Sequence, residues 1–168
     1  MLTDNLLIAL RIALVSLLSY QLGASFTGLF HEASASVGGL WSAVSGVVVL
    51  QATRRDTWTS AGLRVLGTGV GALISALYLS LLPYSTLGMA LSVFATVLIC
   101  QFARIPDHAR LASITVMVIM VIAHLSPSLN PVHSALMRFT EALIGTTVAV
   151  AAVLIWPLAG KPVADAAH

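Results

Sequence analysis

Six stretches of the chain are apolar for most of their length, and polar positions gather in the breaks between them. The stretches run over about 5–26, 37–53, 61–82, 87–102, 111–125 and 134–156, the fourth and fifth being short. About 20 apolar residues in a helix cross a 30 Å hydrocarbon core. The pattern therefore predicts an all-α integral membrane protein. Six transmembrane helices form one domain over 1–157, and a short cytoplasmic tail follows over 158–168. The breaks carry their own signals. Thr3, Asp4 and Asn5 offer N-cap oxygens to the first helix. A polar loop over 27–36 holds His31 and Glu32, and Arg54-Arg55-Asp56 is too charged to continue a span. Pro83-Tyr84, Arg104-Ile-Pro-Asp-His-Ala-Arg110, Ser126-Pro-Ser-Leu-Asn-Pro131 and Pro157 end the remaining runs.

Composition agrees with the pattern. Hydrophobic residues make up 58% of the 168 and charged residues 8%, and mean hydropathy is +0.99. A soluble domain carries about a quarter charged residues, so a soluble fold is excluded. A net formal charge of +2 gives no basis for a nucleic-acid partner. The single cysteine, Cys100, excludes an intrachain disulfide. Gly23-Ala24-Ser25 faintly resembles a signal cleavage site, but Arg11 lies inside the first run instead of before it, so the run is expected to be a retained span.

The distribution of charge sets the expected orientation. With a cytoplasmic N-terminus, Arg11, Arg54, Arg55, Arg64, Arg104, Arg110 and Lys161 lie on or near the cytoplasmic side and Arg138 alone near the other. Basic residues concentrate on the cytoplasmic side of membrane proteins. Both termini are therefore expected in the cytoplasm of a cell, with the chain in the inner membrane.

Arg64, Gly71 and Pro83 of the third stretch recur at the same offsets as Arg138, Gly145 and Pro157 of the sixth. Each is the third of a set of three spans, and an odd number of crossings makes the sets run in opposite directions. This is the arrangement of a 3+3 inverted repeat. Chance recurrence of abundant small residues is the competing account.

Two helical faces carry the candidate chemistry. Arg64, Gly67, Thr68, Gly71, Ser75 and Tyr78 share one side of the third span, and Arg138, Glu141, Ala142, Gly145, Ala149 and Ala152 share one side of the sixth. Arg64 and Arg138 are candidate anion-binding residues. Guanidinium is permanently charged and its planar fork matches a carboxylate. Gly67, Thr68, Gly71, Ser75, Gly145 and Ala149 line a path beside the arginines or permit close helix packing. Glu141, at i+3 from Arg138, can pair with it on the helix surface and is a candidate proton-linked group. The bland alternative for Arg64 is a side chain that snorkels to the headgroups, since it lies only about 5 Å along its expected helix. A metal site from His31, Glu32, His124 and His133 is disfavoured because their spacing fits no ligand pattern. His108 beside Asp107 reads as a solvated loop residue, and Trp41 and Trp156 as interfacial aromatics. No enzyme motif is present and no cofactor is expected.

Gly39-Leu-Trp41-Ser-Ala-Val-Ser-Gly-Val-Val-Val-Leu-Gln51, then Arg64-Val-Leu-Gly67-Thr68-Gly-Val-Gly71-Ala72, then Arg138-Phe-Thr-Glu141-Ala-Leu-Ile-Gly145 with Trp156-Pro157, together resemble the fusaric acid resistance protein-like group, which includes aromatic acid exporters. Plant aluminium-activated malate transporters are more distantly similar. The resemblance implies efflux of aromatic or other organic carboxylates, with arginines of the third and sixth spans facing the anion path. Many members carry a cytosolic domain or a second membrane module, and this chain ends eleven residues after Pro157. A homodimer is therefore expected, with an additional transport subunit as a further partner. Coupling to protons through Glu141 and Arg138 does not lead to antiport, so electrogenic, uniport-like or channel-like efflux is the expectation. The rivals are a non-transporting membrane module that assembles with another subunit and a small-cation channel, against which the arginines argue.

Overall fold

The computed structural model describes residues 2–125 and 130–156. Its six α-helices are α1 (Leu2–Phe30), α2 (Ala35–Val49), α3 (Arg54–Leu81), α4 (Thr86–Phe102), α5 (Ala109–Leu125) and α6 (Pro131–Ile155). Two 3-10 turns, Glu32–Ser34 and Pro106–His108, join α1 to α2 and α4 to α5. No strand occurs among the described residues. Among the described residues four segments are long and apolar enough to cross a membrane: Asn5–Phe30, Arg54–Leu81, Pro106–Leu125 and Pro131–Ile155. With 15 and 17 residues, α2 and α4 extend only about 22 and 26 Å at 1.5 Å per residue.

Helix boundaries differ from the hydrophobic pattern where capping outweighs charge. Thr3, Asp4 and Asn5 lie within α1 instead of ahead of it, and α1 runs on into the expected loop as far as Phe30. α2 stops at Val49, and α3 begins at Arg54, seven residues before the expected Ala61. The cause is Thr53, whose hydroxyl accepts from the Asp56 amide at 3.1 Å and donates to the Asp56 carboxylate at 2.6 Å. That reciprocal cap stabilises a helix start in a stretch too charged for hydrocarbon. Asp56 also stands where the helix dipole favours an anion. Ser85 caps α4 by accepting from the Gly88 amide, and Asn130 caps α6 ahead of Pro131. Pro157 and the tail over 158–168 lie outside the described residues, as do Ser126, Pro127, Ser128 and Leu129.

The helices pack as α1 on α2 and α4 on α5, with α2 on α6, α5 on α3, and α3 on α6 at the centre. Close approach explains the glycines. A Cβ on Gly145 would collide with the Ser42 carbonyl of α2, and one on Gly71 with the Ala112 carbonyl of α5. Without a hydrophobic force between helices in lipid, such backbone proximity and interhelical hydrogen bonds hold a bundle together. At the end where α3 begins, Arg54 Nη2 donates to the Leu154 carbonyl of α6 at 3.1 Å, so α3 and α6 run antiparallel.

Apolar and polar residues are distributed inside out relative to a soluble protein. Leu6, Leu29, Leu73, Phe94 and Phe102 are exposed on the perimeter. The interior buries Thr27, Ser42, Ser45, Arg64, Thr68, Arg138 and Glu141. Apolar packing is confined to small clusters, Val15–Val49–Ala61–Ala149 among them. A perimeter of this kind is solvated by lipid tails, and the interior carries the polarity.

Candidate functional site

The site is built on the central pair α3 and α6, with α2 and α5 closing it. α2 presents Ser42, Ser45 and Gly46 on one buried face, the spacing that places residues on one side of a helix. Arg64 meets this face. Its Nε and Nη2 donate to Ser45 Oγ at 3.1 and 2.9 Å, and Ser45 in turn donates to the Trp41 carbonyl at 2.8 Å. That hydroxyl thus spends its one proton on the backbone and both lone pairs on the guanidinium. Because α3 starts at Arg54, Arg64 stands ten residues into the helix, about 15 Å along it. It is only 5% exposed, and no carboxylate pairs with it among the described residues. A side chain so enclosed does not snorkel.

Arg138 is held differently. Its Nη1 lies 2.7 Å from Glu141 Oε2. Glu141 is fully buried, and its Oε1 accepts from Thr27 Oγ1 of α1 at 2.8 Å. The Glu141 carbonyl accepts from Ser42 Oγ at 3.0 Å, so α1, α2 and α6 meet at this residue. Arg138 Nε has no hydrogen-bond partner among the described residues, and neither has Thr68 Oγ1.

Between the two arginines lies a void of about 20 Å³, lined by Trp41, Ser45, Arg64, Thr68, Ile114, Thr115, Val118 and Arg138. A second cavity, of about 170 Å³, opens where α1 ends and α2 and α6 begin, and Arg138 lines this one too. Arg138 therefore stands between them. Two arginines against one glutamate leave the site one net positive charge. Fixed guanidinium donors of this kind are chemically able to replace hydration that an anion gives up.

The residues singled out in the sequence fall into distinct places. Arg64, Thr68 and Arg138 border the void. Gly67 and Gly71 close against α5, and Gly145 against α2. Ser75 is buried with its hydroxyl on the Gly71 carbonyl, and Ala149 belongs to an apolar cluster. Trp41, expected at a membrane interface, lies mid-helix on the void. His31 and His133 line the larger cavity, His124 stacks on Tyr84 with ring centroids 4.5 Å apart, and Glu32 is exposed. Among the described residues no three metal-ligating side chains gather. Sequence reasoning missed Ser45 and Thr27 as residues of the site. Hydroxyls recurring with glycines on one face of α2 were a signal for Ser45, whereas Thr27 lies beyond the expected end of its span. Arg11 is 2% exposed and donates to the Gln51 carbonyl at 3.3 Å, away from the void.

No curated protein and no solved structure matches the chain significantly. The family model described as fusaric acid resistance protein-like matches residues 14–152, the greater part of the chain, from within α1 to within α6. The chain therefore belongs to the fusaric acid resistance protein-like family, and with it to the multi-pass membrane proteins of transport and resistance.

Proposed function

We propose that the protein exports organic carboxylate anions, aromatic ones among them, along a path through the Arg64–Arg138 void. The observation that carries this reading is Arg64, a guanidinium enclosed in the bundle, held by one hydroxyl and left without a counter-ion among the described residues. A charge at the centre of a membrane helix costs about 2.5 to 3.5 kcal/mol on insertion scales, and an anion is what that charge is suited to receive. On this reading both termini are cytoplasmic, the chain sits in the inner membrane, and Arg64 takes the anion before Arg138 passes it outward.

The helix packing supports an inverted repeat behind the path. α1–α2 answers to α4–α5, each pair joined by a 3-10 turn, and α2–α6 answers to α5–α3. Gly71 and Gly145, at matching places after the two arginines, each press on a backbone carbonyl of the helix alongside. The pseudo-axis passes between α3 and α6, where the void lies, and a homodimer would supply the wall that one six-helix module lacks.

One observation favours a second reading. A void of about 20 Å³ holds about one water, so this conformation admits no carboxylate. It is the closed state of a carrier on the first reading and the finished interior of a non-transporting assembly module on the second. The enclosed arginines weigh for the first, since a module that only packs keeps its charges at the headgroups.

The test is flux by purified protein in liposomes, with benzoate, a dicarboxylate and chloride, each with and without Arg64→Ala. Benzoate flux that depends on Arg64 is the expected result. Equal flux of every anion in both proteins, or none in either, sinks the proposal.

A further inference from the structure

The larger cavity has a composition the path does not require. Its polar lining is Thr27, His31, Ser34, His133, Ser134 and Arg138, and Val37, Ile122, Leu125 and Met137 form an apolar wall. Among the described residues no acidic side chain lines it. His31 Nδ1 is held on Ser34 Oγ at 2.9 Å, and the His133 ring meets Phe30 edge-on at 6.4 Å, so both imidazoles are fixed by neighbours. Ser34 stands at the N-cap of α2 without accepting a side-chain cap bond, and the first amide of that helix, Ala35, is taken up by the Glu32 carbonyl of the preceding 3-10 turn. Arg138 is 7% exposed and its Nε is without a hydrogen-bond partner among the described residues.

Donors at one side and an apolar wall at the other define a ligand with one charged end and one greasy end. A volume of about 170 Å³ is the space of nearly six waters at about 30 Å³ each, the scale of a single ring bearing a carboxylate. We propose that this cavity is a binding site for a monocarboxylate with a small apolar body. The carboxylate lies toward Arg138 and Ser134, the Thr27 hydroxyl being spent on Glu141, and the body lies against Ile122, Val37 and Met137. The site is separate from the Arg64 void and shares Arg138 with it. The inference rests on reading the protein as an organic-anion carrier, and it names the class of anion.

Equilibrium binding of radiolabelled benzoate and of acetate to the purified full chain in nanodiscs tests it. Benzoate is expected to bind at least about tenfold more tightly than acetate, since burial of the ring contributes more than the 1.4 kcal/mol that a tenfold ratio requires. Ile122→Trp and Val37→Trp, each filling the cavity from a different helix, are expected to remove that preference. Acetate affinity is expected to stay within about twofold. The two variants are made because one of them is enough if the other does not elute as the parent does on size exclusion. Unchanged benzoate binding in a folded variant overturns the assignment, and so does equal affinity for both acids in the parent. Binding is scored apart from flux, so failure here is distinguishable from failure of the Arg64 path.

Discussion

Arg64 rests both Nε and Nη2 on one hydroxyl, Ser45 Oγ, at 3.1 and 2.9 Å. This is the hinge of the site, because it joins the central helix α3 to α2 through a single acceptor. Ser45→Ala removes that acceptor and leaves the buried guanidinium without its protein partner. Hydrogen bonds to charged groups contribute about 1.5 to 3 kcal/mol, so a clear fall in the midpoint of thermal unfolding in detergent is expected. Flux is expected to fall with it, while Ser45→Thr, which keeps the oxygen, retains most of both. A Ser45→Ala protein as stable and as active as the parent would show that the bond carries nothing.

Glu141 neutralises Arg138, and the two make opposite demands on any anion that arrives. Glu141→Gln keeps the shape and the Thr27 bond but deletes the counter-charge. Breaking a buried pair costs about 3 to 5 kcal/mol, so the variant is expected to be markedly less stable without ligand. Arg138 then lacks a partner, and added benzoate is expected to restore stability more in the variant than in the parent, since a ligand that binds only the folded state stabilises it by RT ln(1 + [L]/Kd). Melting curves against benzoate concentration give the answer. Equal ligand-induced shifts in both proteins would mean that Glu141 does not compete with the anion.

The glycines divide sharply by surroundings. Gly145→Ala places a methyl group against the Ser42 carbonyl and the Gly46 amide, both backbone and unable to yield cheaply. Gly71→Ala does the same at Ala112. Both are expected to lower stability and expression. Gly62 has nothing within 4 Å, so Gly62→Ala is expected to be neutral or stabilising by up to about 1 kcal/mol through helix propensity alone. If all three variants behave alike, helix separation is not what the first two disturb.

What the sequence reveals and what it hides separate along a physical line. Apolar runs identify the six helices because lipid imposes the same requirement on every residue of a span. The family is legible in the same way, from ordered motifs around Trp41, Arg64 and Arg138. The start of α3 is not, because hydrophobicity scores Arg54, Arg55 and Asp56 as a break, while the Thr53 cap makes them a first turn. That single misplacement puts Arg64 about 5 Å into its helix instead of about 15 Å, and so leaves snorkelling as an account of it. Thr27 and Glu141 touch across 114 residues of sequence, a relation that no local spacing encodes. The stripe headed by Arg64 mixes roles for a similar reason. Thr68 faces the void and Gly67 faces α5 although they are neighbours, and a helical wheel does not say which neighbour occupies which sector.

Voltage is the last test, and it follows from the net charge of the site. One positive charge in excess, from Arg64 and Arg138 against Glu141, favours carrying a monovalent anion with no obligatory counter-ion. Moving that anion across the membrane is worth about 2.3 kcal/mol per 100 mV, a roughly fiftyfold shift in the gradient it can sustain. Liposomes loaded with benzoate at equal pH inside and out, with the potential set by a potassium gradient and an ionophore, are expected to lose benzoate faster when the interior is negative and to retain it when the sign is reversed. A carrier that exchanges the anion for hydroxide, or moves it with a proton, transfers no net charge and is indifferent to the sign. Flux through the parent that ignores the potential would therefore reject electrogenic efflux and turn attention to Glu141 as the group that brings the proton.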